Sequence, residues 1–171
     1  MNAIARVTVA AFLCVGVAAC AKKQEVKTPP PPESTNQQTT TQGATMPGAY
    51  TPADLDTDAC LRQRVVYFDF NQTEIKPEFQ AQIACHAKYL RDRPMARMTL
   101  EGNADERGTR EYNLGLGERR GNAVQSALEA AGASASQINV TSYGEERPTC
   151  REHSEDCWAK NRRVEIVYTV K

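Results

Sequence analysis

Hydrophobic positions in the C-terminal part of the chain follow two periods. Gln63–Asp69 (QRVVYFD) is a short β-branched and aromatic run that predicts a strand, and Arg97–Gly102 (RMTLEG) alternates polar and apolar side chains, which predicts a second strand ended by Gly102. Between them Ile75, Phe79, Ile83, Ala87 and Leu90 trace one apolar stripe at helical spacing, with Pro77 suited to the first turn and Arg93–Pro94 as the stop. A longer helix follows. Thr109 is placed to cap it, Tyr112, Leu116, Ala123, Val124, Ala127, Leu128 and Ala131 recur at helical spacing, and Gly132 stops it. Gln137–Tyr143 predicts a third strand, Gly144–Lys160 an irregular segment with a short helix near Trp158, and Arg162–Val170 a last strand. The order β-α-β-α-β-(α)-β implies an α/β sandwich, with helices on one face of a small mixed four-stranded sheet, and residues 58–171 suit a single domain.

Upstream the pattern changes twice. Arg6 precedes the apolar run Val7–Ala19, which is too short to span a bilayer comfortably and ends in small residues before Cys20, so residues 1–19 read as an export signal. An ordinary secretory signal would leave Cys20 a plain thiol. V-A-A-C instead resembles a lipobox, in which cleavage exposes Cys20 for diacylglycerol and N-acyl attachment, and two or three acyl chains anchor a protein stably where one does not. Residues 20–57 contain few bulky apolar side chains and much Pro, Thr, Gln and Gly, too little to offset the entropy of ordering, so they read as a disordered tether. Pro29–Pro32 favours extended geometry, and such a tether has a typical coil reach of ~30–35 Å and a contour reach of ~110 Å.

Composition adds two constraints. Acidic and basic residues balance at 21 each, which gives a nucleic-acid role no electrostatic support. Cys14 leaves with the signal, and Cys60, Cys85, Cys150 and Cys157 remain in the head, an even number that argues for disulfides in an exported protein. Cys150 and Cys157 flank a short polar loop that closes easily. Cys60 lies just before the first strand and Cys85 on the helix after it, so they meet if that helix packs across the strand. The rival is a zinc half-site in Cys150-x-x-His153-x-x-x-Cys157, completed by Cys85-His86. The two clusters are far apart in sequence, paired C-x-x-C units are missing and the compartment is oxidising, so disulfides are the expectation and no metal or cofactor is called for. His86, alone on a helix, reads as a partly exposed side chain.

The densest charge lies in Glu101–Arg120 (EGNADERGTREYNLGLGERR). Asp105 falls in the loop between a strand end and the first turn of a helix, while Asn113, Leu116 and Arg120, at i, i+3 and i+7, share one helix face. A carboxylate in the loop and a guanidinium on the helix wall suit the two ends of a zwitterion: the carboxylate takes an ammonium, the guanidinium grips a carboxylate through parallel hydrogen bonds, and free N–H groups at the helix start add donors. The plainer alternative is a solvated, self-neutralising surface with Arg120 bridged back to Asp105. Gly115, Gly117 and Gly121 each cost up to ~1 kcal/mol in a helix interior, a cost better understood if something approaches the backbone closely. Their spacing lies inside the helix and not on the turn entering it, so it is no dinucleotide signal. Asp105 and Glu106 as paired catalytic carboxylates would make a cell-wall hydrolase, but adjacent loop residues point apart and no Ser-His-Asp or Cys-His set is spaced for catalysis, which favours a binder over an enzyme. Arg162 and Arg163 read as a second anion contact or, preferably, as structural ion pairs with residues such as Glu101 or Glu118. Tyr67 and Tyr168 read as sheet packing.

GNADERGTREYNLGLGERRGNAV, together with YFDFN, SYGEERP and KNRRVEIVY, resembles the OmpA-like peptidoglycan-binding domain, in particular the peptidoglycan-associated lipoprotein (Pal) family, from about Arg64 through Tyr168. The resemblance implies non-catalytic binding of the diaminopimelate side chain of the peptidoglycan stem peptide. Asp105 and Arg120 match the family's ligand-gripping aspartate and arginine, and Asn113, Leu116 and Phe70 match pocket-lining positions. Asn71 stands where the family commonly has Asp, and Asn103 where it commonly has His; both keep hydrogen-bonding ability while losing a charge or an imidazole. Ala21 is not the aspartate that retains many lipoproteins in the inner membrane, so the resemblance implies an outer-membrane anchor facing the periplasm. It further implies partnership with the Tol system, with TolB competing for an overlapping surface, in envelope integrity and membrane constriction at cell division. An OmpA-like wall-binding lipoprotein without a Tol role is the alternative.

Overall fold

The computed structural model describes residues 48–171; the expected export signal, the expected lipidation site at Cys20 and the expected tether up to residue 47 lie outside the described residues. The elements are α1 (Asp54–Thr57), β1 (Val65–Tyr67), α2 (Gln80–Asp92, entered through a 3-10 turn at Pro77–Phe79), β2 (Arg97–Asn103), α3 (Arg110–Ala130), β3 (Ile138–Gly144), α4 (Glu155–Asn161) and β4 (Arg163–Val170). The sheet runs β1-β4-β2-β3, with β4 antiparallel to both its neighbours and β2 parallel to β3. A parallel pair cannot be joined by a tight turn, and α3 supplies the crossover between β2 and β3. In register, Leu100 stands between Val140 and Ile166, and Val66 stands opposite Val164.

Alternation along the strands decides which face is covered. Met98 and Leu100 of β2 and Val164 and Ile166 of β4 are buried, and they join Ile83, Ala87 and Leu90 of α2 and Val124 and Leu128 of α3 in one cluster. The predicted stripes of both helices are thus the faces that cover the sheet. Thr109 caps α3 as its sequence position predicts, its hydroxyl accepting from the Tyr112 N–H at 3.2 Å, and Gly132 ends the helix at φ +96°.

The glycines in α3 have a structural reason. A Cβ on Gly102 would lie inside the Gly117 carbonyl, and a Cβ on Gly121 would meet the Val140 side chain at 2.5 Å. The close approach is therefore that of the helix to β2 and β3, not that of a ligand. Gly115 is different: the only atom near its missing Cβ is the mobile end of Arg119.

Three expectations change. Residues 50–57, assigned to the tether, pack on the domain: Leu55 is fully buried, the Tyr50 N–H donates to Asp92 Oδ2 at 2.9 Å, and the Tyr50 ring lies 6.3 Å from that of Tyr89. One leucine among polar residues leaves no periodic signal, and its burial acts together with the contacts of Tyr50 and a hydrogen bond from Arg64 to the Leu55 carbonyl. His86 is fully buried rather than partly exposed, because it falls on the same face of α2 as Ile83 and Leu90 and finds partners there in the Gln63 carbonyl (2.8 Å) and the Tyr168 hydroxyl (2.9 Å). Tyr112, counted in the apolar stripe of α3, is 44% exposed at the start of the helix. The cysteines pair as Cys60–Cys85 and Cys150–Cys157. Those four sulfurs are thereby unavailable to a zinc ion.

Candidate functional site

Strand β2 loses its regular register at Gly102/Asn103, and the chain turns through residues 104–109 into α3. The Ala104 N–H donates to the Gly144 carbonyl at 2.8 Å, and Thr109 caps the helix, so both ends of this loop are fixed. A cavity of about 290 Å³ opens between the loop, the first turns of α3 and the segment after β1. Five of the six residues expected at a binding site line it: Phe70, Asn71, Asp105, Leu116 and Arg120. The sixth, Asn113, is buried on the same helix face beside Gly108.

Arg120 is fully buried and makes no salt bridge among the described residues. Its Nε donates to the Gln72 carbonyl (2.9 Å), Nη1 to the Asn103 carbonyl (2.9 Å) and Nη2 to the Asp69 carbonyl (3.1 Å). Burial pulls its pKa down to about 10, against the opposing pull of Asp105, which leaves it charged at neutral pH. A guanidinium carries five N–H bonds, so one on each terminal nitrogen stays uncommitted. The bridge from Arg120 to Asp105, the alternative left open by the sequence, does not form.

Asp105 is only 4% exposed. Its Oδ1 accepts from the Arg107 backbone N–H (3.1 Å) and Nε (3.2 Å); its Oδ2 accepts from Arg107 Nη2 (2.7 Å) and Arg162 Nη1 (3.2 Å). Burial pushes the carboxyl up, but these hydrogen bonds outweigh it and hold the pKa below the usual carboxylate range. Glu106 points elsewhere, accepting at one oxygen from Trp158 Nε1 (2.7 Å) and lying 2.5 Å from His153 Nδ1. Asp105 and Glu106 therefore do not form a catalytic pair.

Several participants were not read from the sequence. The Arg107 guanidinium lies between two aromatic rings, 4.0 Å from the centroid of Phe70 and 4.2 Å from that of Trp158. Arg162 is an ion-pair residue as preferred, but its partners are Asp105 and Glu155 rather than Glu101 or Glu118, with Nε on the Phe68 carbonyl at 3.0 Å. Arg163 pairs with Glu165 at 2.6 Å, and Arg147 is the residue that approaches Glu101. Consecutive residues at a strand start point to opposite faces, so only one of two adjacent arginines reaches the site. Tyr112 donates its hydroxyl to Asn71 Oδ1 across the cavity mouth, and Asn71 holds a left-handed backbone at φ +55°, a conformation asparagine tolerates better than most residues. Among the described residues the buried Oδ1 atoms of Asn103 and Asn113 lack donors, while their Nδ2 groups donate to the Glu101 carbonyl (2.9 Å) and Glu145 (2.5 Å). The site thus offers a buried cation, a buried carboxylate, an apolar wall at Leu116 and Phe70, and two spare amide acceptors close by.

Known proteins share this arrangement of elements. The peptidoglycan-associated lipoprotein of Pseudomonas putida is 47% identical over 123 residues, which cover 70% of this chain and 74% of that relative. The protein of the same name from Brucella melitensis is 34% identical over 169 residues, 98% of this chain and 95% of its own length. The crystal structure of the peptidoglycan-associated lipoprotein from Burkholderia pseudomallei superposes with a TM-score of 0.66 at 41% identity, over 68% of this chain and 98% of that one. Residues 67–162, from β1 through the end of α4, match the OmpA family model, and with that span holding the cavity and all the residues that line it, the chain belongs to the OmpA family.

Proposed function

We propose that this protein is a non-catalytic, lipid-anchored envelope protein whose head binds peptidoglycan through the diaminopimelate side chain of the stem peptide. The observation that carries the reading is that Asp105 and Arg120 line one small cavity of about 290 Å³ without pairing to each other. Arg120 retains two N–H bonds for a carboxylate, Asp105 is ionised, and Leu116 and Phe70 take the methylenes between the two charged ends. A lysine side chain has the ammonium without the carboxylate and leaves the Arg120 donors unpaired, so the site discriminates by an unmet buried donor. The names of the relatives, all peptidoglycan-associated lipoproteins, support the same ligand class.

In this reading the acylated Cys20 fixes one end in the outer membrane, residues 20–47 form the tether, and the head clasps the wall from the periplasmic side. Partnership with TolB and the Tol system, and a part in membrane constriction at division, follow from the resemblance to the Pal family.

The test is calorimetric titration with a diaminopimelate-containing stem peptide and a lysine-containing control, on the native protein and on Asp105→Ala and Arg120→Lys. Arg120→Lys keeps the charge but loses the planar fork, and so separates recognition from charge. Selective binding lost in both variants supports the clamp. Equal binding of the two peptides, or none by folded native protein, refutes it.

A further inference from the structure

Asp105 has no vacancy. A carboxylate offers about four lone-pair positions, and all are taken: two by the Arg107 side chain, one by the Arg107 backbone N–H and one by Arg162. An incoming ammonium therefore finds the carboxylate filled by a cation from the chain itself. The Arg107 guanidinium is also stacked between Phe70 and Trp158, so Asp105 and the two rings make a three-walled cation cage. A fourth contact of Arg107, to Glu155 at 3.4 Å, lies outside that cage.

We propose that Arg107 is an internal ligand of this site, whose guanidinium holds the Asp105–Phe70–Trp158 cage in the free protein and is exchanged for the ligand's ammonium on binding. This inference rests on the peptidoglycan reading above and adds to it the group that competes with the ligand.

Two features make the exchange feasible. When the guanidinium leaves, Asp105 keeps the Arg107 backbone N–H and Arg162 Nη1, so the carboxylate stays oriented and charged while one position on each oxygen opens. Arg107 itself is 30% exposed in its side chain, beside a Phe70 that is 53% exposed, and Glu155 stands ready to keep its charge company in solvent. Exchange of cation for cation preserves the local charge, which spares the buried Asp105 from ever being unpaired. It also makes the cage selective, because a neutral group has nothing to offer in place of the guanidinium. Occupation by Arg107 reduces apparent affinity by the fraction of time that the cage is closed.

The test uses the full chain and two probes: the stem peptide L-Ala-γ-D-Glu-meso-diaminopimelate and the same peptide acetylated on its side-chain amine. Trp158 is the only tryptophan and one wall of the cage, so its emission reports the exchange directly. In the native chain the free-amine peptide is expected to change Trp158 emission and the acetylated peptide to leave it unchanged. Arg107→Met, which keeps an unbranched stem between the rings, and Arg107→Gln are both expected to bind the free-amine peptide about two- to fivefold more tightly, the value of losing one exposed cation–π competitor, with no gain for the acetylated peptide. Binding of both peptides that is weaker in both variants than in the native chain overturns the proposal and makes Arg107 a contact to the ligand's anion. A native chain, folded by circular dichroism, that binds neither peptide overturns the peptidoglycan reading itself and this inference with it.

Discussion

The Tyr168 hydroxyl lies 2.9 Å from Nδ1 of His86 within the core, while His86 Nε2 lies 2.8 Å from the Gln63 carbonyl. A carbonyl only accepts, so Nε2 carries the proton and Nδ1 accepts from the Tyr168 hydroxyl. Burial, the larger influence, pulls the His86 pKa below its usual value against the hydrogen bond to Gln63, and burial likewise raises that of Tyr168.

The sign of the pH dependence follows. With the folded pKa below the unfolded one, the unfolded chain binds the extra proton first as pH falls, so the stabilisation is complete above about pH 6.5 and is lost as pH falls through the folded pKa. The urea midpoint should therefore decline below that pH in the native protein and decline less in His86→Gln. The variant should itself be less stable by about 1–3 kcal/mol at neutral pH, because Tyr168 or Gln63 loses a partner.

The contact between α3 and β2 gives a second expectation. Gly102→Ala places a methyl inside the Gly117 carbonyl, and because backbone rather than a side chain must move, a loss of roughly 3 kcal/mol or more is expected. Gly115→Ala meets only the end of Arg119 and should be neutral or stabilising by up to ~1 kcal/mol. Chemical denaturation of the two variants side by side checks the contrast.

The two disulfides should differ in worth. The Cys60–Cys85 bridge spans a sequence separation of 25 and the Cys150–Cys157 bridge one of 7. Loop-closure entropy then assigns ~3.5 kcal/mol to the first and ~2.4 kcal/mol to the second. Paired Cys→Ser variants compared by thermal melting test that order. The Cys150/Cys157 pair should also change Trp158 emission, since Trp158 follows Cys157 in α4.

At the cavity mouth, Asn71→Asp retains an oxygen for the Tyr112 hydroxyl and a side chain suited to the left-handed backbone. The fold should persist, and the added negative charge should tighten zwitterion binding about two- to fivefold at low salt. Titration that finds equal or weaker binding with unchanged melting would remove Asn71 from the ammonium side of the site.

What the sequence made legible is what local periodicity encodes. The stripe from Ile83 to Leu90, the Thr109 cap and the common face of Asn113, Leu116 and Arg120 all depend on neighbours within two turns of helix. What it hid depends on distance in the chain. Arg107 meets Trp158 only because α4 folds back over the 104–109 loop, and Arg162 reaches Asp105 across 57 positions. The Gly117 and Gly121 spacing was visible, but its cause, a sheet pressed against the helix, needed the register of β2 and β3.

Among the described strands β4 is the last in sequence and interior in the sheet, and it is the only one that pairs with β1. Synthesis from the N-terminus therefore completes β1 long before its partner strand exists. Val66 and its neighbours stay open until residues from Arg163 onward arrive. The event that closes the sheet is therefore the arrival of this eight-residue strand between β1 and β2.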